Sequence, residues 1–166
     1  RTTSNARVWN ELASLNRPVL LETVTKEKFI ASVLVFRIEG SEAIVWTDQG
    51  LQWILLADIA DAWTGTYRFF WQAPGAWEGE LSLGDAGAAV REIAQMFATL
   101  DGMALEEVAS FGPALEARIR LFQQGENLPV DGHMTQLTLL RLNDRLGIGL
   151  TVNRALARAQ NWQGVR

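Results

Sequence analysis

The chain has 166 residues, a net charge of −4 and no cysteine. Its hydrophobic fraction of 48% suffices for a packed core and excludes a generally disordered chain. The charge argues against bulk electrostatic binding to nucleic acid, and the lack of cysteine excludes disulfides, thiolate metal sites and a thiol nucleophile within these residues. No apolar run reaches the about 20 residues of a membrane helix. Because the sequence begins at Arg1, we expect a processed form or a piece of a longer protein.

The first half of the chain predicts a short helix and five strands. The helical pattern covers 8–15 and ends at Asn16–Pro18. Four runs rich in β-branched and aromatic residues follow, joined by turns at 39–42 and 48–50: VLLETV, FIASVLVF, EAIVWT and LQWILL. A brief helical segment, LADIADAW, precedes the fifth strand, YRFFWQAP. This pattern favours a small twisted antiparallel sheet, open or half closed.

The second half predicts three helices. Apolar residues recur at helical spacing over 90–100, with Asp85 as the expected N-cap. The dipeptide Gly112-Pro113 predicts the start of a second helix, whose buried stripe is Leu115, Ile119 and Phe122. The last helix carries leucines on two faces, so it must be covered on more than one side.

Composition divides the chain near residue 78. Six of the seven tryptophans lie at or before Trp77, whereas 78–146 holds eleven acidic and five basic residues. The sequence therefore predicts an α+β protein with a β-rich domain at 1–77, a helical domain at 78–150 and a basic tail at 151–166. The tail is expected to be a helix docked on a neighbour, or a partly disordered segment.

Motifs of the helical domain resemble the three-helix peptidoglycan-binding domain of many cell-wall hydrolases. The matching residues are Leu83, Gly84 and Gly87, the run Phe111-Gly112-Pro113, the pair Phe122-Gln123, the turn Leu128-Pro129-Val130-Asp131-Gly132, and Thr138. The chain departs from the family pattern at Ala94, Leu115 and Thr135, where glutamine, threonine and glycine are usual.

The β-rich domain resembles a second family. The stretches LNRPVLLE, FIASVLVF and ADAWTGTYRFFWQAP are similar to the periplasmic region of the GspA/ExeA-type ATPase of bacterial type II secretion. In that family a degenerate sheet related to bacteriocin-processing cysteine peptidases precedes a peptidoglycan-binding domain. The resemblance implies the same order here, and together the two resemblances cover roughly 12–146.

The sequence of the β-rich domain lacks the thiol and the imidazole that a cysteine peptidase needs. Active relatives would carry a histidine near Lys28 or Phe29, and neither side chain can act as an imidazole base. The acid Asp48 falls where an orienting acid would lie, but a turn role explains it better. Metal hydrolysis is disfavoured because the chain has one histidine, and no G-x-S-x-G elbow supports a serine nucleophile with His133.

A carboxylate-based wall hydrolase stays open as an alternative. Its candidates are Glu78, Glu80 and the pair Glu106-Glu107, for which solvated charge is the simpler interpretation. Sugar stacking is another possibility for aromatic residues outside the core, and Trp77 and Trp162 are the best candidates.

The expected binding groove lies in the helical domain and uses five polar residues, namely Arg118, Gln123, Asp131, His133 and Thr138. Structural roles compete with this interpretation. Gly132 can supply an unusual backbone angle, Asp131 can bind local amides and Gln123 can brace the following loop. Arginines of the same helix can pair with Glu116 or remain solvated.

The resemblances imply a non-catalytic periplasmic module that binds peptidoglycan. It would anchor a type II secretion assembly ATPase to the wall and assist secretin assembly, with no cofactor and no metal. The expected partners are peptidoglycan, secretion-system proteins and further copies of the chain, since edge strands favour pairing, and not nucleic acid. The alternatives are a carboxylate-based peptidoglycan hydrolase and a purely protein-interacting module.

Overall fold

The computed structural model describes residues 2–104 and 108–162, with side chains described from residue 8 onward. The chain forms two compact units. Unit 1 contains the described residues up to Trp71 and those from Leu150 onward, and unit 2 spans Gln72–Gly149. This division differs from the predicted domains, because the segment expected to be a separate basic tail belongs to unit 1. It also places 72–77 in unit 2, earlier than the predicted boundary.

Unit 1 combines a five-stranded sheet with three helices. Its elements, in chain order, are α1 (Thr2–Ser14), β1 (Val19–Val24), β2 (Ile30–Glu39), β3 (Glu42–Thr47), β4 (Gly50–Leu55), α2 (Leu56–Ala60), β5 (Trp63–Phe69) and α6 (Val152–Asn161). The five predicted strands are all present. The fifth strand runs from Trp63 to Phe69, so it begins four residues before its predicted start at Tyr67.

The sheet is antiparallel throughout, with the order β4-β3-β2-β1-β5. The strand β1, between β2 and the edge strand β5, pairs with β2 through Leu20 and Leu34 and with β5 through Leu20 and Arg68. The sheet is open in this order, because β4 and β5 form its two edges. The register between β2 and β3 shifts after Val35, which lets the strand bend at a bulge.

Successive residues of a strand point to opposite faces, and helices pack on both faces of this sheet. One face packs on α1 and α2 in a core that includes Trp9, Leu12, Leu21 and Val45. The opposite face packs on α6 through Phe36, Val152, Ala155 and Leu156. The helix α6 therefore completes the second layer of unit 1, and Arg37 of β2 donates a hydrogen bond to Asn153 at its first turn.

Unit 2 contains the three predicted helices, which are α3 (Ala88–Asp101), α4 (Pro113–Gly125) and α5 (Gln136–Leu146). The start of α4 at Pro113 was predicted correctly. The predicted N-cap Asp85 is wrong, because α3 is preceded by Gly87 and the Asp85 carboxylate accepts a hydrogen bond from the Ser82 amide at 2.7 Å.

Apolar residues of the three helices form the core of unit 2. Phe97 of α3 meets Phe122 of α4 edge to face, with 5.5 Å between ring centroids. The helix α5 buries Leu139, Leu140 and Leu142 completely, which agrees with the predicted coverage on more than one side. Within the described residues, none of the helices combines the length and apolar character needed to cross a membrane.

Candidate functional site

The candidate site is the loop between α4 and α5, together with the strand-like segment that runs beside it. The helix α4 ends at Gly125, and Asn127 takes a positive φ of 54° that turns the chain away from the helix axis. Later in the loop, the backbone of Met134 pairs in an antiparallel bridge with Leu81. This bridge brings Glu80 next to His133, so the surface of the loop includes residues from two separate parts of unit 2.

Gln123, near the end of α4, is the centre of the hydrogen-bond network that holds the loop, and it is only 1% exposed. Its Nε2 group donates to Asp131 Oδ1 at 2.8 Å and to the His133 carbonyl at 2.9 Å. Its Oε1 atom accepts the Gly132 backbone N–H at 2.9 Å. A buried amide that is paired on both its donor and acceptor sides fixes the loop, because any other loop conformation would leave these polar groups unpaired.

Asp131 is exposed to solvent, and its Oδ1 atom accepts two hydrogen bonds within the loop network. Besides the Gln123 amide, this oxygen accepts the His133 backbone N–H at 2.9 Å. Burial disfavours the charged carboxylate, but the hydrogen bonds from the His133 backbone and the Gln123 side chain outweigh this cost and lower the pKa of Asp131. The carboxylate therefore stays ionised at neutral pH.

Gly132 has a φ of 76°, which side chains other than glycine resist. A Cβ atom at this position would lie 2.8 Å from the Glu116 Cγ atom and 2.9 Å from the Arg120 Nε atom. The Arg120 guanidinium lies across the glycine, bonded to Glu116 at 2.8 Å and to the Val130 carbonyl at 2.9 Å. The predicted backbone role of the glycine is confirmed, and the close packing adds a second reason for it.

His133 places its ring on the surface of the loop. Its Nδ1 atom lies 2.5 Å from Glu80 Oε1, and the two side chains are 45% and 53% exposed. This contact lies within unit 2 and joins the loop to the segment before α3. The pair presents an imidazole edge and a carboxylate to solvent beside Asp131.

Thr138 lies beneath the loop at the first turn of α5. The helix is capped by Thr135, whose hydroxyl accepts the Thr138 backbone N–H at 3.2 Å. The Thr138 hydroxyl is 3.0 Å from that of Thr135 and accepts from Gln123 Nε2 at 3.3 Å. These bonds tie the end of the loop to the start of α5 and leave the Thr138 side chain buried.

Arg118 lies apart from this network. Its guanidinium forms two hydrogen bonds to Asp101, of 2.7 and 2.6 Å, and stacks 4.8 Å from the centre of the Phe97 ring. The two bonds lower the pKa of Asp101, with burial opposing them in part, and raise the pKa of Arg118. Its described contacts join α3 to α4.

The structure thus brings together four of the five residues predicted from the sequence. Among these four, Gln123 and Thr138 are 1% and 2% exposed, so they position the loop and do not face a ligand, contrary to the predicted direct contact. Asp131 and His133 present polar groups outward. The sequence prediction did not place Arg120 or Glu80 in the binding groove, but its alternative that an arginine of α4 pairs with Glu116 is confirmed for Arg120.

Other sequence candidates have structural surroundings of their own. Asp48 lies in the β3–β4 turn and accepts from the Gln49 side chain at 3.3 Å, and Lys28 lies in the β1–β2 turn. Trp162 is exposed but meets Trp46 edge to face, with 5.3 Å between centroids. The acidic pair Glu106-Glu107 lies outside the described residues.

The comparisons with known proteins bear on both units. Residues 86–142 match the model of a family described as "Putative peptidoglycan binding domain". They form a helical domain of the peptidoglycan-binding type. The match includes the loop network around Gln123 and Asp131, whereas Glu80 lies outside it.

The fold of the chain is similar to that of a periplasmic domain of the EpsAB fusion protein of the Vibrio vulnificus type II secretion system. The two chains are 22% identical with a TM-score of 0.55, and the match covers 95% of this chain and 68% of the other. A comparison with curated proteins finds no match. The resemblances identified in the sequence are thereby confirmed, the first by the family match and the second as a shared fold.

Proposed function

We propose that the chain is a non-catalytic, peptidoglycan-binding module of the periplasm, and that its wall contact is the outward surface of the α4–α5 loop. The observation that carries this proposal is the match of 86–142 to the peptidoglycan-binding family over a loop fixed by a buried glutamine. A preorganised loop loses little conformational freedom on binding, which favours weak but specific contacts.

The chemistry of the loop surface suits ligands rich in hydrogen-bond donors. Asp131 and Glu80 offer carboxylate oxygens, and the lowered pKa of Asp131 keeps it an acceptor at neutral pH. The hydroxyl and amide groups of a glycan and the ammonium groups of stem peptides are donors of this kind. In this proposal Gln123 and Thr138 hold the loop in place, and Arg118 joins α4 to α3.

Absence of catalysis is part of the proposal. The described side-chain contact of His133 is with Glu80, so the imidazole is bonded to an exposed carboxylate within unit 2. Hydrolysis by carboxylates alone would need a pair that holds a water or the sugar between them. Glu80 is bonded to the imidazole and is about half exposed, which fits a solvent-facing binding surface.

We further propose that the chain anchors a type II secretion assembly ATPase to the wall and assists secretin assembly. The shared fold with a type II secretion periplasmic domain supports this placement. Self-association and contacts with other secretion proteins would then use the sheet unit, whose strands β4 and β5 are edges. In cells, the variant Glu80→Gln/His133→Gln, which should weaken wall binding, should reduce the amount of secretin multimers while its own level stays unchanged.

Co-sedimentation with purified sacculi tests the wall contact. The double variant Glu80→Gln/His133→Gln should lower the sedimented fraction several-fold, because it replaces an exposed carboxylate and an exposed imidazole with neutral amides without touching the core. The variant Glu27→Gln, exposed in a turn of unit 1, is the matched control and should sediment like the wild type. Equal sedimentation of all three proteins would contradict the site, and wild-type protein left in the supernatant at low salt would contradict wall binding.

A dye-release assay on the same sacculi tests the non-catalytic part. The wild-type chain should release no more labelled fragment than buffer does. Steady release that is lost in Glu80→Gln would favour the carboxylate hydrolase instead.

A further inference from the structure

The second face of the sheet in unit 1 is only partly covered by its helix. The helix α6 packs on Phe36 with help from Leu34, Ile44 and Trp46 of the strands β2 and β3. On the same face, Leu20 of β1 and Arg68 of β5 lie in register beside Leu34. The part of this sheet face that belongs to β1 and β5 therefore lies beside α6.

A cavity of about 610 Å³ occupies this position. We call it the α6 groove, and all its lining residues belong to unit 1. Apart from two arginines they are apolar or aromatic, and two of the aromatic side chains, Phe70 and Trp162, are 86% and 61% exposed. The lining residues are Pro18, Leu20, Leu34, Phe36, Trp46, Arg68, Phe70, Leu150, Ala155, Arg158, Ala159 and Trp162. Large exposed aromatic side chains beside an open apolar surface are typical of an interaction site.

The charges of the groove have one sign. Arg68 reaches it from β5 and Arg158 from α6, and both are exposed. Within the described part of the chain, neither arginine has an ion pair or a side-chain hydrogen bond, and no carboxylate is among the residues that line the groove. Two unpaired guanidinium groups at an apolar surface favour a partner that brings carboxylates to them.

The dimensions favour an α-helix as the occupant. Neighbouring strands are about 4.8 Å apart, so β1 and β5 offer a width close to the about 10 Å diameter of a helix. A helix placed there would pack beside α6, as a second helix in the same layer. The arginines lie on different elements, so they suit carboxylates spaced along a scaffold better than the single head group of a fatty acid.

We propose that the α6 groove is a docking site for an amphipathic helix of another polypeptide, with leucine-like or aromatic residues on one face and glutamate or aspartate on the flanks. This interaction mode places apolar anchors at i, i+3, i+4 and i+7 in the groove. Phe70 and Trp162 enclose the anchors, and Arg68 and Arg158 bind the flanking carboxylates. The site is separate from the wall-binding loop, because all its residues are in unit 1.

Fluorescence anisotropy with helical peptide probes tests this site. The first probe is a stapled, fluorescein-labelled helix of about 15 residues, with leucines at the anchor positions and glutamates on both flanks. The second has lysines in place of the glutamates, and the third has the first composition scrambled so that the apolar stripe is lost. Fluorescein-labelled oleate is the fourth probe, and all are titrated into the full chain at low and high salt.

The glutamate probe should bind most tightly and weaken with salt. Phe70→Ala should weaken it roughly tenfold, and Arg68→Glu/Arg158→Glu roughly tenfold for each arginine. These side chains are exposed, so the variants should fold as the wild type does. Lys26→Glu/Lys28→Glu, which makes the same charge change as the double arginine variant at two exposed lysines of the β1–β2 turn, should have no effect. The double arginine variant should in turn prefer the lysine probe.

Three results would overturn the proposal. Glutamate and lysine probes that bind the wild type equally would remove the role of the arginines. A scrambled probe that binds as well as the first would remove the helical stripe. Binding of oleate alone, or of none of the probes at about 1 mM, would show that the groove does not dock an acidic helix.

Discussion

At the scale of single residues, Gln123 shows how a motif residue can serve a binding loop from within the protein. Its amide is buried and connects α4 to the backbone of the loop at Gly132 and His133. The same position in the sequence motif suggested a ligand contact. Burial decides between the two roles, because a side chain that is 1% exposed has no surface to offer a ligand.

The first prediction concerns this amide. Gln123→Met keeps a similar volume but leaves the Gly132 N–H without its acceptor, so unit 2 should lose about 2–4 kcal/mol of unfolding free energy. Urea unfolding followed by circular dichroism measures this loss. The neighbouring exposed Gln124 provides the control, and Gln124→Met should stay within about 0.5 kcal/mol of the wild type. Equal midpoints for the two variants would show that the amide network adds no stability.

A second prediction concerns Gly132. Gly132→Ala places a Cβ atom against the Glu116 and Arg120 side chains and forces a left-handed backbone, so we expect about 2–3 kcal/mol of destabilisation. Gly125→Ala, at the end of α4 with open space around it, should be neutral or slightly stabilising. Thermal unfolding of both variants makes the comparison, and a Gly132→Ala protein as stable as the wild type would contradict it.

At the scale of the elements, the helices α3 and α4 are joined by the Arg118–Asp101 pair. The Arg118 hydrogen bonds lower the folded pKa of Asp101, although burial opposes them. The stabilisation is therefore fully present above the unfolded pKa of about 3.9 and is lost as the pH falls through the folded value. Asp101→Asn should cost about 1 kcal/mol at pH 7, since both side chains are about 30% exposed.

Urea unfolding of the wild type and Asp101→Asn over a range of pH measures this linkage. The two stabilities should differ at neutral pH and converge as the pH falls through the lowered pKa of Asp101, because the protonated aspartic acid is then uncharged, as asparagine is. A constant difference over the whole range would assign the effect to the side-chain shape and not to the charge.

The helix α6 gives the fourth prediction. Leu156 is 8% exposed and packs on Phe36 across the second face of the sheet, so Leu156→Ala should destabilise unit 1 by about 2–4 kcal/mol. The exposed Gln160 on the same helix is the control, and Gln160→Ala should have little effect. Both are measured by urea unfolding. A neutral Leu156→Ala would mean that α6 contributes little to the packing of the sheet.

Local patterns in the sequence predicted most elements, and the errors arise where a residue depends on distant partners. The strands β1 to β4 follow from β-branched runs between turns, and Pro113 marks the start of α4. For the tail, the sequence predicted either a docked helix or a partly disordered segment, and the helix is confirmed: Val152, Ala155 and Leu156 form an apolar stripe that packs on Phe36. The pairing of Arg118 with Asp101, seventeen residues earlier, depends on how α3 and α4 pack and has no local signal.

At the scale of the whole molecule, the two proposed surfaces lie in different compact units. The wall-binding surface is the α4–α5 loop of unit 2, and the docking site is the α6 groove of unit 1. A module that holds a partner to the wall needs both contacts at once, so the amount of partner retained depends on the occupancy of both sites. The separation predicts that each function can be removed alone.

The fifth prediction follows from this separation. Phe70→Ala should bind sacculi as the wild type does while it weakens the glutamate probe, because the exposed ring belongs to the groove. Glu80→Gln/His133→Gln should show the opposite pattern, with sedimentation reduced and probe affinity unchanged. A three-component sedimentation assay, with sacculi, protein and labelled probe, should then recover probe with the wild type alone. Loss of both functions in either variant would show that the surfaces are coupled, and that one ligand site depends on the structure of the other.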